Sequence, residues 1–121
     1  MDKQFRRSVG HAAAGLKTAF TTERHIRIHC GVAVAAILAG VLLPLSANEW
    51  LWILLCITLV IGAELFNTAL EALTDLATPD YHPLAKKAKD IAAGAVVLCV
   101  LFAIATGLII FLPKIIGLFD S

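Results

Sequence analysis

Glu64, Asn67, Thr68, Glu71 and Asp75 are the residues of this chain whose types and spacing best suit chemistry. At about 100° per residue they fall in one helical stripe roughly 100° wide. Glu64 and Glu71 are close to two turns apart and point the same way. Paired carboxylates of this kind can hold Mg²⁺, which prefers oxygen ligands and usually shares its shell with phosphate and water. One carboxylate can instead act as general base toward a hydroxyl. Further along, Lys86 and Lys89 offer positive charge for a phosphate, at the depth of the stripe. Asp90 follows Lys89 directly and can serve a metal or the lysine itself. Glu23 is one more acid, just ahead of the first long apolar run.

The stripe follows WLWILLCITLVIG without a break, and that run sets its depth. Of the chain's 121 residues, 60% are hydrophobic and 16% charged. A domain this small cannot hide so much apolar surface from water. The apolar residues also cluster, which points to a bilayer rather than a core. Three segments stand out: about Ile28 to Leu45, ended with the help of Pro44; Trp50 onward, uncharged through Ala63; and Ile91 to Leu112, closing at Pro113. The first and third suffice for a hydrocarbon layer of about 30 Å. The second crosses only if it continues through the polar stripe. Counting in from Trp50, Glu64 lies roughly 20 Å deep and Glu71 roughly 30 Å. A charged group at such depth costs a few kcal/mol or more unless paired, roughly 3 kcal/mol at a helix centre, so acids there point to function. Asp75 alone would fit a solvated interface, and an isolated Asn or Thr would fit helix–helix adhesion.

The spans predicted from this pattern are 24–45, 49–76 and 83–112, within a single membrane domain covering 1–121. Lys3, Arg6, Arg7, Lys17, Arg24 and Arg27 precede the first span, and Lys86, Lys87 and Lys89 lie in the second connection. The first connection, Ser46 to Glu49, has neither Lys nor Arg. The positive-inside rule then places the N-terminus in the cytoplasm and the C-terminus outside a cell membrane, with Trp50 and Trp52 at the outer interface. Phe5, Val9, Ala12, Ala13, Leu16 and Phe20 recur at helical spacing, predicting an amphipathic helix over 3–22. It would lie in the cytoplasmic interface or pack on the protein's own inner side. No signal peptide follows MDKQFRRS. Cys30, Cys56 and Cys99 lack metal-ligand spacing and read as small hydrophobes. The net charge of +1 gives no general attraction to nucleic acid.

Acids for a metal, lysines for phosphate and a membrane-embedded base together suggest phosphoryl transfer at a membrane surface. A proton- or cation-coupled carrier, or a non-enzymatic helical membrane protein, would also place acids there. Neither a GxxxxGK[ST] loop nor a kinase Gly-rich loop with HRD is present, so ATP would need some other arrangement.

Three motifs add a resemblance that spans nearly the whole chain. Glu64-Leu65-Phe66-Asn67-Thr68-Ala69-Leu70-Glu71, ending at Asp75, resembles the signature of the prokaryotic diacylglycerol kinases. Glu23-Arg24-His25-Ile26-Arg27-Ile28-His29 and Tyr81-His82-Pro83-Leu84-Ala85-Lys86-Lys87-Ala88-Lys89-Asp90 match in order. The resemblance implies an all-α integral membrane homotrimer of three transmembrane helices and an N-terminal surface helix, with active sites between subunits. It implies an ATP-dependent lipid kinase using Mg²⁺. Glu64 would be the base that takes the proton of the lipid hydroxyl, with Asn67 beside the lipid. Glu23 and Glu71 would hold the metal. Lys89, Asp90, His82 and Asp75 would line the nucleotide site, with Lys89 on the phosphates. ERHIRIH and YHPLAKKAKD resemble the Gram-positive branch, associated with undecaprenol; diacylglycerol is the alternative acceptor. In the Gram-negative forms an acid stands at the position of His29 and a residue other than proline at Pro83. Thr74 departs from the usual valine and His25 from the usual asparagine, which bears on fine specificity. His29 and His82 could be metal ligands, but neither forms a ligand-spaced cluster, and His29 reads as a satisfied interfacial histidine.

Overall fold

The structure is a computed structural model that describes residues 2–120. Its elements are four helices: α1 (Lys3–Thr22), α2 (Arg24–Leu42), α3 (Ala47–Ala77) and α4 (Pro83–Asp120). The last three are long and apolar enough to cross a membrane. α3 packs chiefly on α4 and less on α2, and α1 touches mainly α2.

Local chemistry explains each boundary. Asp2 caps α1 by accepting from the Gln4 N–H. At the other end of α1, the Arg27 guanidinium donates to the carbonyls of Phe20 and Thr21, at 2.9 and 3.1 Å. α2 ends at Leu42 rather than at residue 45, because Leu43 precedes Pro44 and is pushed into extended backbone (φ −108°, ψ 91°). α3 begins at Ala47, earlier than the expected 49, through a capping box. Ser46 accepts from the Glu49 N–H, and the Glu49 carboxylate accepts from the Ser46 N–H.

The expected close of the third span at Pro113 is not observed, since α4 runs on to Asp120. A proline lacks one N–H, so a helix can pass through it when both flanks favour helix and other contacts hold the continuation. Here Ile109 to Leu112 and Lys114 to Phe119 are almost entirely apolar. Lys114 Nζ also pairs with Glu49 Oε1 at 3.2 Å, tying α4 beyond the proline to the start of α3.

Very little of the chain is buried within itself. The core comprises Ala19, Ile26, Ile53, Cys56, Val60, Val96 and Ile110, none of them completely enclosed. Phe66, Leu76, Leu98, Ile109 and many other large apolar side chains remain exposed. Water does not tolerate this surface, whereas lipid or further protein does. The apolar stripe of α1 has no cover from its own chain either: Phe5, Val9, Leu16 and Phe20 are all exposed. Cys56 is buried, Cys30 and Cys99 are half-buried, and all three are free thiols.

Candidate active site

The buried face of α3 is Ile53, Cys56, Val60, Glu64 and Asn67, at intervals of three, four, four and three. The polar stripe is thus the continuation of the seam that packs α3 against its neighbours. Glu64 and Asn67 are the two buried polar residues among those described, 7% and 8% exposed. Glu71 and Thr74 extend the same line half-buried, and Asp75 reaches the surface.

Within the seam, His29 Nε2 of α2 lies 3.7 Å from Glu64 Oε2. Asn67 Nδ2 donates to Glu71 Oε1 at 3.1 Å, which fixes the amide orientation. That leaves Asn67 Oδ1 buried without a donor. A buried acceptor in this state costs about 1–3 kcal/mol, so this oxygen suits a donor brought by something that binds. Thr74 Oγ1 donates to the Glu71 carbonyl at 2.9 Å.

The His29–Glu64 contact also fixes the register of α2 against α3. Glu23 lies six positions before His29, about 9 Å along α2; Glu71 lies seven positions after Glu64, about 10 Å along α3. For antiparallel neighbours these displacements run the same way, so Glu23 and Glu71 occupy the same level. Glu23 is half-buried at the corner between α1 and α2. Among the described residues no group of three His, Cys, Asp or Glu side chains could hold a metal. A protein-only cage is therefore absent from this part of the chain. An ion that takes most of its oxygens from phosphate and water, as Mg²⁺ does, needs only one or two carboxylates from the protein.

The remaining sequence candidates meet at the turn between α3 and α4. Asp75, His82, Lys86, Lys89 and Asp90 share the wall of an open cavity of about 360 Å³, with Thr78, Pro79, Asp80, Tyr81 and Ala85. Thr78 Oγ1 donates to the Asp80 carbonyl and helps close the turn. His82 Nδ1 accepts the Leu84 N–H at 3.1 Å and so caps α4. A neutral imidazole accepting there carries its proton on Nε2, which can donate outward. Lys89 Nζ joins Asp75 Oδ1 at 2.5 Å across the two helices. Lys86 Nζ joins Asp90 Oδ2 at 2.6 Å along one.

Those pairs refine the expected depths. Asp75 is eleven positions past Glu64, about 16 Å along α3. Lys89 therefore meets the C-terminal end of the stripe, beyond Glu71, and not its acid-bearing middle. Both pairs are largely exposed and so weak, about 0–1 kcal/mol each, leaving the ammonium groups free to exchange a carboxylate for a phosphate. His29 is a residue whose partner sequence reasoning did not supply. Its contact with Glu64 depends on helix register, which its own neighbours in the chain do not encode.

The chain is similar to known lipid kinases. It is 44% identical over 112 residues to the undecaprenol kinase of Bacillus subtilis, covering 93% of this chain and 91% of that protein. It is 45% identical over 112 residues to a diacylglycerol kinase of Synechocystis, covering 92% of this chain and 64% of the relative. The Escherichia coli K12 diacylglycerol kinase is 27% identical over 100 residues, covering 83% of this chain and 82% of the relative. The family model for prokaryotic diacylglycerol kinase matches residues 10–111, a span that takes in the buried acid, the seam and the turn. On that span, the chain belongs to the prokaryotic diacylglycerol kinase family.

Proposed function

We propose that this protein is a membrane lipid kinase that transfers the γ-phosphoryl group of ATP to the hydroxyl of undecaprenol. The observation that carries the proposal is the ladder along one face of α3. A buried carboxylate at Glu64 is followed by Asn67, Glu71 and then the Asp75–Lys89 pair at an open polar cavity. A lipid alcohol can reach the upper end from the bilayer, and a nucleotide the lower end from water.

In this reading Glu64 accepts the hydroxyl proton as the oxygen attacks phosphorus. Asn67 Oδ1 offers the alcohol a first acceptor one turn away. Lys89 exchanges Asp75 for the phosphates, and His82 and Asp90 line the nucleotide's entry. Glu71 and Glu23, at one level between the two ends, are the carboxylates that would hold Mg²⁺. The ion would supply charge neutralisation on the phosphate oxygens. Positioning and electrostatics carry most of such a transfer.

The wider assembly fits the same reading. The N-terminus and the α3–α4 turn carry the basic residues and belong at the cytoplasmic face of the cell membrane, with the C-terminus outside. α1 lies in the inner interface with Phe5, Val9, Leu16 and Phe20 toward the lipid. The apolar surface left open on α2 to α4 supports a homotrimer with sites between subunits.

Undecaprenol is preferred because the Bacillus subtilis relative, covered over 91% of its length, bears that activity in its name. Diacylglycerol is the second reading, favoured by the name of the Synechocystis protein at 45% identity. Purified protein given labelled ATP with each lipid in parallel decides between them. Label should enter undecaprenol faster than diacylglycerol. The reverse order would replace the acceptor, and transfer to neither would remove the kinase reading. In the same assay Glu64→Gln should lower turnover by about 10²–10⁴-fold, the usual worth of a general base, with nucleotide binding retained.

A further inference from the structure

The Glu64 carboxylate is enclosed in the helix seam, and among the described residues His29 is the only basic side chain within ion-pair distance of it. A permanent cation is close in sequence, but Arg27 is turned away and caps α1. α4 offers no competitor, since it has no Asp, Glu, Lys, Arg or His between Asp90 and Lys114. On α3 the next acid, Glu71, accepts from Asn67. The group facing Glu64 is therefore an imidazole, which can accept a proton at a ring nitrogen and pass it on.

We propose that His29 is the proton outlet of the site, a positioning residue that receives from Glu64 the proton taken from the lipid hydroxyl. The inference rests on the reading of Glu64 as base. During transfer the lipid O–H bond breaks and its oxygen bonds the γ-phosphorus. ADP leaves with the electron pair of the broken phosphoanhydride bond, and the proton goes to a Glu64 oxygen. A buried acid has few ways to lose that proton again. Neutral His29 takes it at Nε2, and the carboxylate is restored for the next alcohol. The imidazolium then releases the proton to water.

His29 is the less enclosed of the two, with the imidazole 19% exposed and the carboxyl 9%. His25 is exposed one turn nearer the start of α2 and on the same face, so the route outward is polar. The separation of 3.7 Å is longer than a hydrogen bond. Catalytic hydrogen bonds often tighten only when substrate is bound.

The test is steady-state kinetics of the full-length protein with ATP and undecaprenol in mixed micelles. His29→Gln keeps polarity and size but cannot carry the proton away. It should lower kcat by at least about tenfold while both KM values stay within about twofold, and free imidazole should restore part of the loss. His29→Glu retains a proton acceptor and should stay within about fivefold of the wild type. An unchanged kcat in His29→Gln overturns the proposal. So does a loss that imidazole does not relieve, or one that His29→Glu shares in full. If circular dichroism shows that His29→Gln does not fold, His29→Glu decides alone. Glu64→Gln, run alongside, separates the two levels of inference. An active Glu64→Gln removes the base itself, whereas an inactive Glu64→Gln beside a normal His29→Gln removes only the outlet.

Discussion

Glu71 makes one observed contact and has one proposed duty, and a single substitution can separate them. Its carboxylate orients Asn67 through a 3.1 Å hydrogen bond, and its charge is the one proposed to hold a metal together with Glu23. Glu71→Gln can keep the hydrogen bond through its amide oxygen while losing the charge. We expect folding to persist and Mg²⁺-ATP-dependent turnover to fall by at least about 10²-fold, comparable to removing a charge from a preorganised phosphoryl-transfer site. Near-normal turnover at ordinary Mg²⁺ would remove Glu71 from the metal role. The alignment of Glu64, Asn67 and Glu71 was legible in the sequence because the helical period alone decides it. The partners of these residues were less so. Lys86 and Asp90 stand at i, i+4, so their pairing could be read from spacing. His29 with Glu64, and Lys89 with Asp75, required knowing how far one helix slides along another.

Helix ends and crossings show the same division between local and non-local signals. Ser46 and Glu49 announce a capping box in four residues, and Pro44 halts α2 by restricting Leu43; both signals are local. Pro113 is a local signal that misleads, because the Lys114–Glu49 pair and two apolar flanks carry α4 past it. Gly40 was silent in the sequence, yet it fixes the corner between α2 and α3. A Cβ there would lie 2.7 Å from Trp50 Cη2 and 2.9 Å from Leu45 Cδ1. The indole cannot fold away as a flexible chain would. Gly40→Ala should therefore destabilise by about 1–3 kcal/mol, the usual cost of overpacking. A thermal melt in detergent should show this, and pairing the change with Trp50→Phe should recover part of it. A melt unmoved by Gly40→Ala would mean that the corner has room to spare.

At the scale of the molecule, the chain encloses so little of itself that lipid or further protein must cover it. Membrane passage was legible from hydropathy, since composition and clustering suffice for that. Assembly was not, because lipid-facing and protein-facing apolar residues have the same chemistry. If the open faces of α2 to α4 meet other copies, brief cross-linking in native-like bilayers should yield a ladder ending at three chains. A ladder ending at one or two would overturn the trimer. The placement of Glu64 has a further consequence for how the protein's rate should be expressed. Its carboxylate is buried in the seam of a helix apolar enough to cross a membrane, while the polar cavity at the turn between α3 and α4 is open. The two substrates then arrive from different phases, one by diffusion in two dimensions and one in three. For the lipid, molarity has no meaning at such a site; its mole fraction in the surrounding film sets occupancy. Adding inert lipid at fixed total substrate should slow the reaction like a dilution, while the response to ATP stays on its ordinary volume scale.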